Sequence, residues 1–386
     1  MTSALAEVKQ TEKPGFDATE AVRQISGILS ERAAQSDEND IFVAENYPLL
    51  KEAGLVDAGV PEELGGGGLE VAELADMLRR MAHACSSTAL ALSMHTHQVA
   101  VPAWRWRYQN VTAVEPLLKR IASEKIIILS SGGSDWIPGS GRAKKVEGGY
   151  QISARKTFTS GALAGDILMT GAIVEDDENG PTVIHFGAPM KAAGVRVEDT
   201  WYAMGMRGTG SHDVIMDGLF IADGAVVFSR KGGEWHPVFQ IISTIAFPLI
   251  YAVYLGIAER ARDLAIEMAQ GKSSSPVALD LAGRMETALR AAQLAHRWMV
   301  ETAELNNPSA ATVNEVMIGR SLVAKNAIRT VELALELVGG AGFYRRNVIE
   351  RLFRDVQGAR FHPLQAGPQA RYAGAMAFGQ DVSRIF

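Results

Sequence analysis

A chain of 386 residues, 47% hydrophobic and 21% charged, has room for two to three domains and enough apolar material for large cores, which excludes a mostly disordered protein. Its single cysteine, Cys85, excludes an internal disulfide and a four-cysteine zinc site, and suits a reducing, cytoplasmic setting. The formal net charge of −6 argues against a nucleic-acid binder, because phosphate contacts need clustered Lys and Arg.

The opening stretch, MTSALAEVKQTEK, lacks the apolar run of a signal peptide. Asp17, followed by Ala18, Thr19 and Glu20, reads as a capping box, with Val22, Ile25 and Leu29 at helical spacing behind it. A second helix is expected over 47–51, with Pro48 in its first turn. The glycines at 65–68 deny any regular element. Helix then resumes near Leu69 and continues in the same style through 104. Residues 1–125 are thus expected to form an all-helical domain.

From 126 the pattern changes. SEKIIILSS reads as a short strand, and KKVEGGYQISARKTF alternates around Gly148-Gly149, which signals a hairpin. DILMTGAIVEDDENGPTVIHFGAPM reads as a second strand pair, and GSHDVIMDGLFIAD repeats the style around Asp217-Gly218. A small barrel or sandwich is therefore expected over 126–232. Beyond Pro237, long apolar periodicities joined by short loops predict an antiparallel bundle over 233–386. Within it, the 18 uncharged residues 241–258 reach the lower limit for a membrane span. Pro248 in their middle and the helical pattern that runs on past them predict a buried core helix instead. The expected fold class is α+β: an N-terminal all-α domain, a middle β-barrel or sandwich domain, and a C-terminal four-helix bundle.

Four groups of residues could carry chemistry. Gly339, Gly340 and Gly342 close a helix, either as a plain cap or where another group approaches the backbone closely. Ser130, Ser131, Gly132, Gly133, Ser134 and Asp135 follow a strand, as a polar loop or as the lining for a polar ligand edge. His95 and His97 lie two apart on a helix and so face different ways, unlike an i,i+4 zinc pair; no metal is expected, and each is either a histidine satisfied in the core or at a cleft wall, or a catalytic one. His362, just after the last strong helix, is either a general base or a structural loop histidine.

Together, VPEELGGGGLE, GGSD after a strand, GGYQISARKTFTSGALAGD, AMGMRGTGSHDVIMDGLFIAD and LVGGAGFYRRNVIERLFRD resemble, in order and spacing, the acyl-CoA dehydrogenase superfamily over almost the whole chain. The resemblance implies FAD between the β domain and the bundle, or FMN in a monooxygenase-like branch, and a homodimer or homotetramer. It matches Leu129, Ser131, Gly133 and Ser134 to the flavin loop, Phe158 to an aromatic against the flavin, and Ser160 to a flavin-bonding hydroxyl. Gly339, Gly340 and Lys272 match positions that meet a neighbouring subunit's FAD.

Family dehydrogenases use a Glu as base, commonly shortly after the pair that is Arg354-Asp355 here. This chain has Pro363, Leu364 and Gln365 there, and the alternative family position falls near Ala246. The family thus puts dehydrogenation of an acyl-CoA or similar substrate first, with an electron-transfer flavoprotein as acceptor. A two-component monooxygenase fed by a flavin reductase follows closely, with His95 or His97 and His362 as its histidines; a desulfinase-like branch also lacks the base.

Overall fold

Asp17 caps the first helix, α1 (Ala18–Asn39), by accepting the Glu20 N–H at 3.0 Å, and Val22, Ile25 and Leu29 form its buried stripe. Only half of the expected capping box forms. Glu20 turns its carboxylate to Arg23, at 2.6 Å, because the guanidinium one turn on offers a two-pronged charged pair. The computed structural model describes residues 15–131, 137–174, 180–383 and 385. The N-terminal region continues with α2 (Asn46–Glu52), α3 (Val71–Ala84), α4 (Ser86–Gln109) and α5 (Glu115–Glu124).

The middle region is one curled mixed sheet. It comprises β1 (Ile128–Ser130), β2 (Arg142–Val146), β3 (Gly149–Lys156), β4 (Ile167–Val174), β5 (Thr182–Pro189), β6 (Val195–Glu198), β7 (Asp213–Ala222) and β8 (Val226–Lys231). The path runs β6-β7-β3-β2-β4-β5-β8, with β1 parallel to β4. Gly148 turns the predicted β2–β3 hairpin. Asp217-Gly218 does not turn a hairpin. Here β7 runs straight through, and Gly218, at φ +71°, makes a bulge opposite Ile152 and Ser153.

The C-terminal region holds three long helices, α6 (Val238–Met268), α7 (Pro276–Glu304) and α8 (Ala310–Val338). Two short ones follow, α9 (Val348–Val356) and α10 (Ala366–Ala377), so the expected C-terminal helical bundle is present with members of unequal length. The apolar run 241–258 lies in α6. Its most apolar window is 89% buried inside the molecule, so this face is satisfied by protein.

Gly256 lets α6 cross α3. A Cβ there would stand 2.2 Å from the Arg79 carbonyl oxygen, closer than any real contact. Beside it, Glu259 accepts from Arg79 at 2.6 Å and from Gln293 at 3.0 Å, and lies 3.1 Å from His83. Those partners overcome burial and hold its carboxyl down to about 2. Gly256→Ala should gain about 1 kcal/mol in helix propensity yet lose stability overall, by roughly 1–3 kcal/mol, because a backbone oxygen cannot retreat. Urea denaturation of the variant measures this directly.

Candidate active site

A cavity of about 630 Å³ opens where α4, β1, β4, the 201–211 loop, α6 and the 357–365 segment meet. Phe158 leaves β3 with φ +56°, a strained conformation for a bulky residue, which turns its ring into the cavity wall. The ring is 60% exposed and meets Trp201 edge-on at 6.2 Å, so one face is free to stack on a ligand.

Hydroxyls line the same wall. Ser131 accepts from Thr170 at 3.1 Å, which leaves its own proton for another partner. Thr209 gives its proton to the Met206 carbonyl at 2.8 Å, so it can only accept from Ser211 at 2.7 Å. Ser211 then has no proton for Ser160, 2.8 Å away, and Ser160 must donate to it. What Ser160 turns to the cavity is therefore a pair of acceptor sites.

His362 and His97 both line the cavity. The His362 Nε2 lies 2.6 Å from the Tyr254 hydroxyl. Burial raises Tyr254 well above its ordinary range, so it keeps its proton. With no other acceptor for that proton among the described residues, Tyr254 donates to Nε2 and the imidazole carries its hydrogen on Nδ1. Burial, then the Arg320 guanidinium and His97, push His362 down to about 3. Arg320 donates to the His362 carbonyl at 2.8 Å. His97 accepts from Gln98 at 3.3 Å and donates from Nδ1 to the Ser93 carbonyl at 3.1 Å, and burial brings it to about 4. Both rings are neutral at neutral pH.

His95 lies off the cavity. It joins α4 to its neighbours, donating from Nε2 to the Val56 carbonyl at 2.8 Å and accepting the Ile128 N–H at 2.9 Å. Both nitrogens are used, so the structure gives it a structural place instead of the catalytic one expected. Leu129 is buried beneath the site, its side chain under Gly165 and Gly161. Gly133 and Ser134 lie outside the described residues. Lys272, Gly339 and Gly340 are exposed and line no part of the cavity.

Arg354 reaches the cavity, but its guanidinium is held by Asp37 at 2.5 Å and Glu350 at 2.7 Å. Asp355 accepts from the Ser86 hydroxyl and, at 2.5 Å, from the Met206 N–H, tying α9 to α4 and to the 201–211 loop. Among the described residues, no Asp or Glu lines the cavity. Ala246, Pro363 and Gln365, where the family carries its base, are all on the wall. Tyr254 escaped sequence reasoning. Its signal was a pair of tyrosines, Tyr251 and Tyr254, one turn apart inside an otherwise apolar run.

Residues 19–111 match the family model described as acyl-CoA dehydrogenase, N-terminal domain, and residues 249–365 match acyl-CoA dehydrogenase, C-terminal domain, together more than half of the chain. The chain belongs to the acyl-CoA dehydrogenase superfamily. This superfamily member is 28% identical over 366 residues to YdbM of Bacillus subtilis, an acyl-CoA dehydrogenase by name, covering 89% of this chain and 92% of the relative. It is 27% identical over 370 residues to the amino sugar nitrososynthase DnmZ of Streptomyces peucetius, covering 90% of each. The X-ray structure of KijD3 in complex with FMN and dTDP-3-amino-2,3,6-trideoxy-4-keto-3-methyl-D-glucose superposes with a TM-score of 0.85 at 24% identity, over 97% of this chain and 96% of that one. Further relatives are an indole-3-acetate monooxygenase of Pseudomonas putida and a cyclohex-1-ene-1-carbonyl-CoA dehydrogenase of Geobacter metallireducens. The acyl-CoA dehydrogenase superfamily member is accordingly an enzyme of the oxidoreductase class. The fold that the sequence motifs implied is the fold observed.

Proposed function

We propose that the protein is a flavin-dependent monooxygenase, taking reduced FMN or FAD from a separate reductase and holding an organic substrate in the large cavity. One observation carries this reading. The cavity offers no carboxylate among the described residues, and burial holds its His97 and His362 neutral and makes them weak bases for taking a proton from carbon. Thioester dehydrogenation, which family membership alone would put first, needs such a base.

The residues present fit a flavin. Phe158 gives a ring-sized apolar face, and Ser131 offers a proton to a carbonyl edge. Ser160 offers acceptor sites, suited to the extra N–H groups of the reduced form. The cavity volume falls within the range of small-molecule sites. When bound, reduced flavin supplies the two electrons that divide O2 between the product and water. The protein's part is to exclude water with Leu90, Met94 and Phe247, and to present the His362 Nδ1–H, held in place by Tyr254. Lys272, Gly339 and Gly340, exposed and off the cavity, would reach the cofactor only across a subunit contact, and a homodimer or homotetramer is proposed with them.

Anaerobic acyl-CoA should leave bound oxidised flavin unbleached. Reduced flavin supplied in air should drive substrate-dependent oxygen uptake with incorporation of labelled oxygen into product. Bleaching by an acyl-CoA would reverse the assignment. Phe158→Ala should weaken FMN binding about tenfold or more, a loss of roughly 1.4 kcal/mol or greater, as measured by quenching of flavin fluorescence.

A further inference from the structure

Phe228 lines two cavities. Its ring stacks on His185, a wall residue of the large cavity, at 4.2 Å, and lies 5.8 Å from His236 on the other side. The second cavity, of about 360 Å³, is lined by Trp104, Arg105, Gln109, Ser229, His236 and Gln240 among others. Arg105 is half-buried, its side chain has no hydrogen bond or ion pair among the described residues, and its Nε is shut off from water without a partner. No Asp or Glu among the described residues lines this cavity. A guanidinium with no counter-charge, one of whose nitrogens is already shut off from water, is free to pair with an anion that enters the cavity.

The other polar groups point the same way. The Val238 N–H donates to the His236 Nδ1 at 3.2 Å, which places that ring's proton on Nε2 as a donor. The cavity includes the start of α6, the positive end of its dipole, and the amides of Gln109 and Gln240 add donors. Among the described residues the large cavity offers an anion no free guanidinium, since that of Arg354 is taken by Asp37 and Glu350. The two cavities adjoin along α6 as well, where Ile241 lines one and Ile242 the other.

We propose that the smaller cavity binds an oxyanion, a carboxylate or phosphate, carried by the substrate, whose apolar body occupies the large cavity beyond Phe228. This rests on the reading of the large cavity as the substrate site. Arg105 would be a specificity residue that selects acidic substrates over neutral ones of the same shape.

The test is binding to the full chain without flavin and without turnover, so its outcome is independent of the oxygenation assay. Naphthoate, naphthyl phosphate and the uncharged methyl ester of naphthoate are titrated calorimetrically. The wild type should bind at least one of the two anions about tenfold tighter than the ester. Whichever anion shows the preference reveals whether the group recognised is a carboxylate or a phosphate. Arg105→Gln should bring anion and ester to within about twofold while leaving ester affinity unchanged, which shows that the variant is folded; Arg105→Lys should restore part of the preference. Equal affinity or no measurable binding of acid and ester in the wild type overturns the proposal. So does a preference that survives in Arg105→Gln. A third contrary result is an Arg105→Gln variant that loses affinity for FMN but not for riboflavin, which would assign the anion to the cofactor's phosphate.

Discussion

Replacing His362 with alanine should lower substrate-dependent turnover by about a hundredfold or more, the range for losing a positioned proton donor or acceptor. The reason lies in how the ring is held. Its Nε2 is fixed by the Tyr254 hydroxyl at 2.6 Å, and Gly358 leaves space for that hydroxyl, since a Cβ there would stand 2.8 Å from it. Nδ1 has no protein partner among the described residues and is the ring's one free polar atom. Tyr254→Phe keeps the volume but frees the ring to rotate or change tautomer, so a smaller loss is expected, about tenfold. Because His362 is held near 3, it stays neutral from pH 5 to pH 8. The pH profile of kcat should therefore show no ionisation in that interval that vanishes with His362→Ala. Turnover left unchanged in His362→Ala would remove this histidine from the chemistry.

Mild acid should unfold the protein. His95 and His97 are held near 4 and His362 near 3, all by burial, and His296 is lowered for the same reason. Each folded value lies below the ordinary ~6.5, so the unfolded chain takes up protons first. The stability associated with the neutral rings is complete above about pH 6.5 and is lost as pH falls toward the folded values. For His95 and His97 the loss approaches about 3 kcal/mol each by pH 4, against a total stability of order 5–15 kcal/mol. Glu259, held down to about 2, works in the same direction but only below about pH 4.5. Urea midpoints at pH 7, 5.5 and 4.5 should fall steadily. A flat response over that interval would show that the histidines are already hydrated in the folded state.

The order of helix, sheet and helix was legible because it rests on hydrophobic period, which local residues determine. Phe158, Ser131, Ser160, His97 and His362 were legible too, through motif and residue type, and all five stand on the cavity wall. The choice between His95 and His97 was not. Their spacing shows that they face different ways, but the rotation of α4 about its axis is set by packing against α6 and β1, which no local pattern encodes. Asp217-Gly218 misled for a related reason. The same dipeptide serves a turn or a bulge, and the partner strand selects between them. Tyr254 and Arg105 depend on the crossing of distant segments, and each reads in isolation as ordinary helix content.

The α3–α6 crossing also has a bearing on how the chain is made. Arg79 and Glu259 are 180 residues apart in sequence, and Arg354 grips Asp37 across 317. At a synthesis rate of about 5–20 residues per second, α3 emerges roughly 10–40 s before the helix that covers it. During that interval its apolar face, with Leu74, Met77, Leu78 and Met81, has no α6 to bury it. The first and last regions of this enzyme therefore mature together, and a nascent chain halted before α6 would present a chaperone with an open hydrophobic surface.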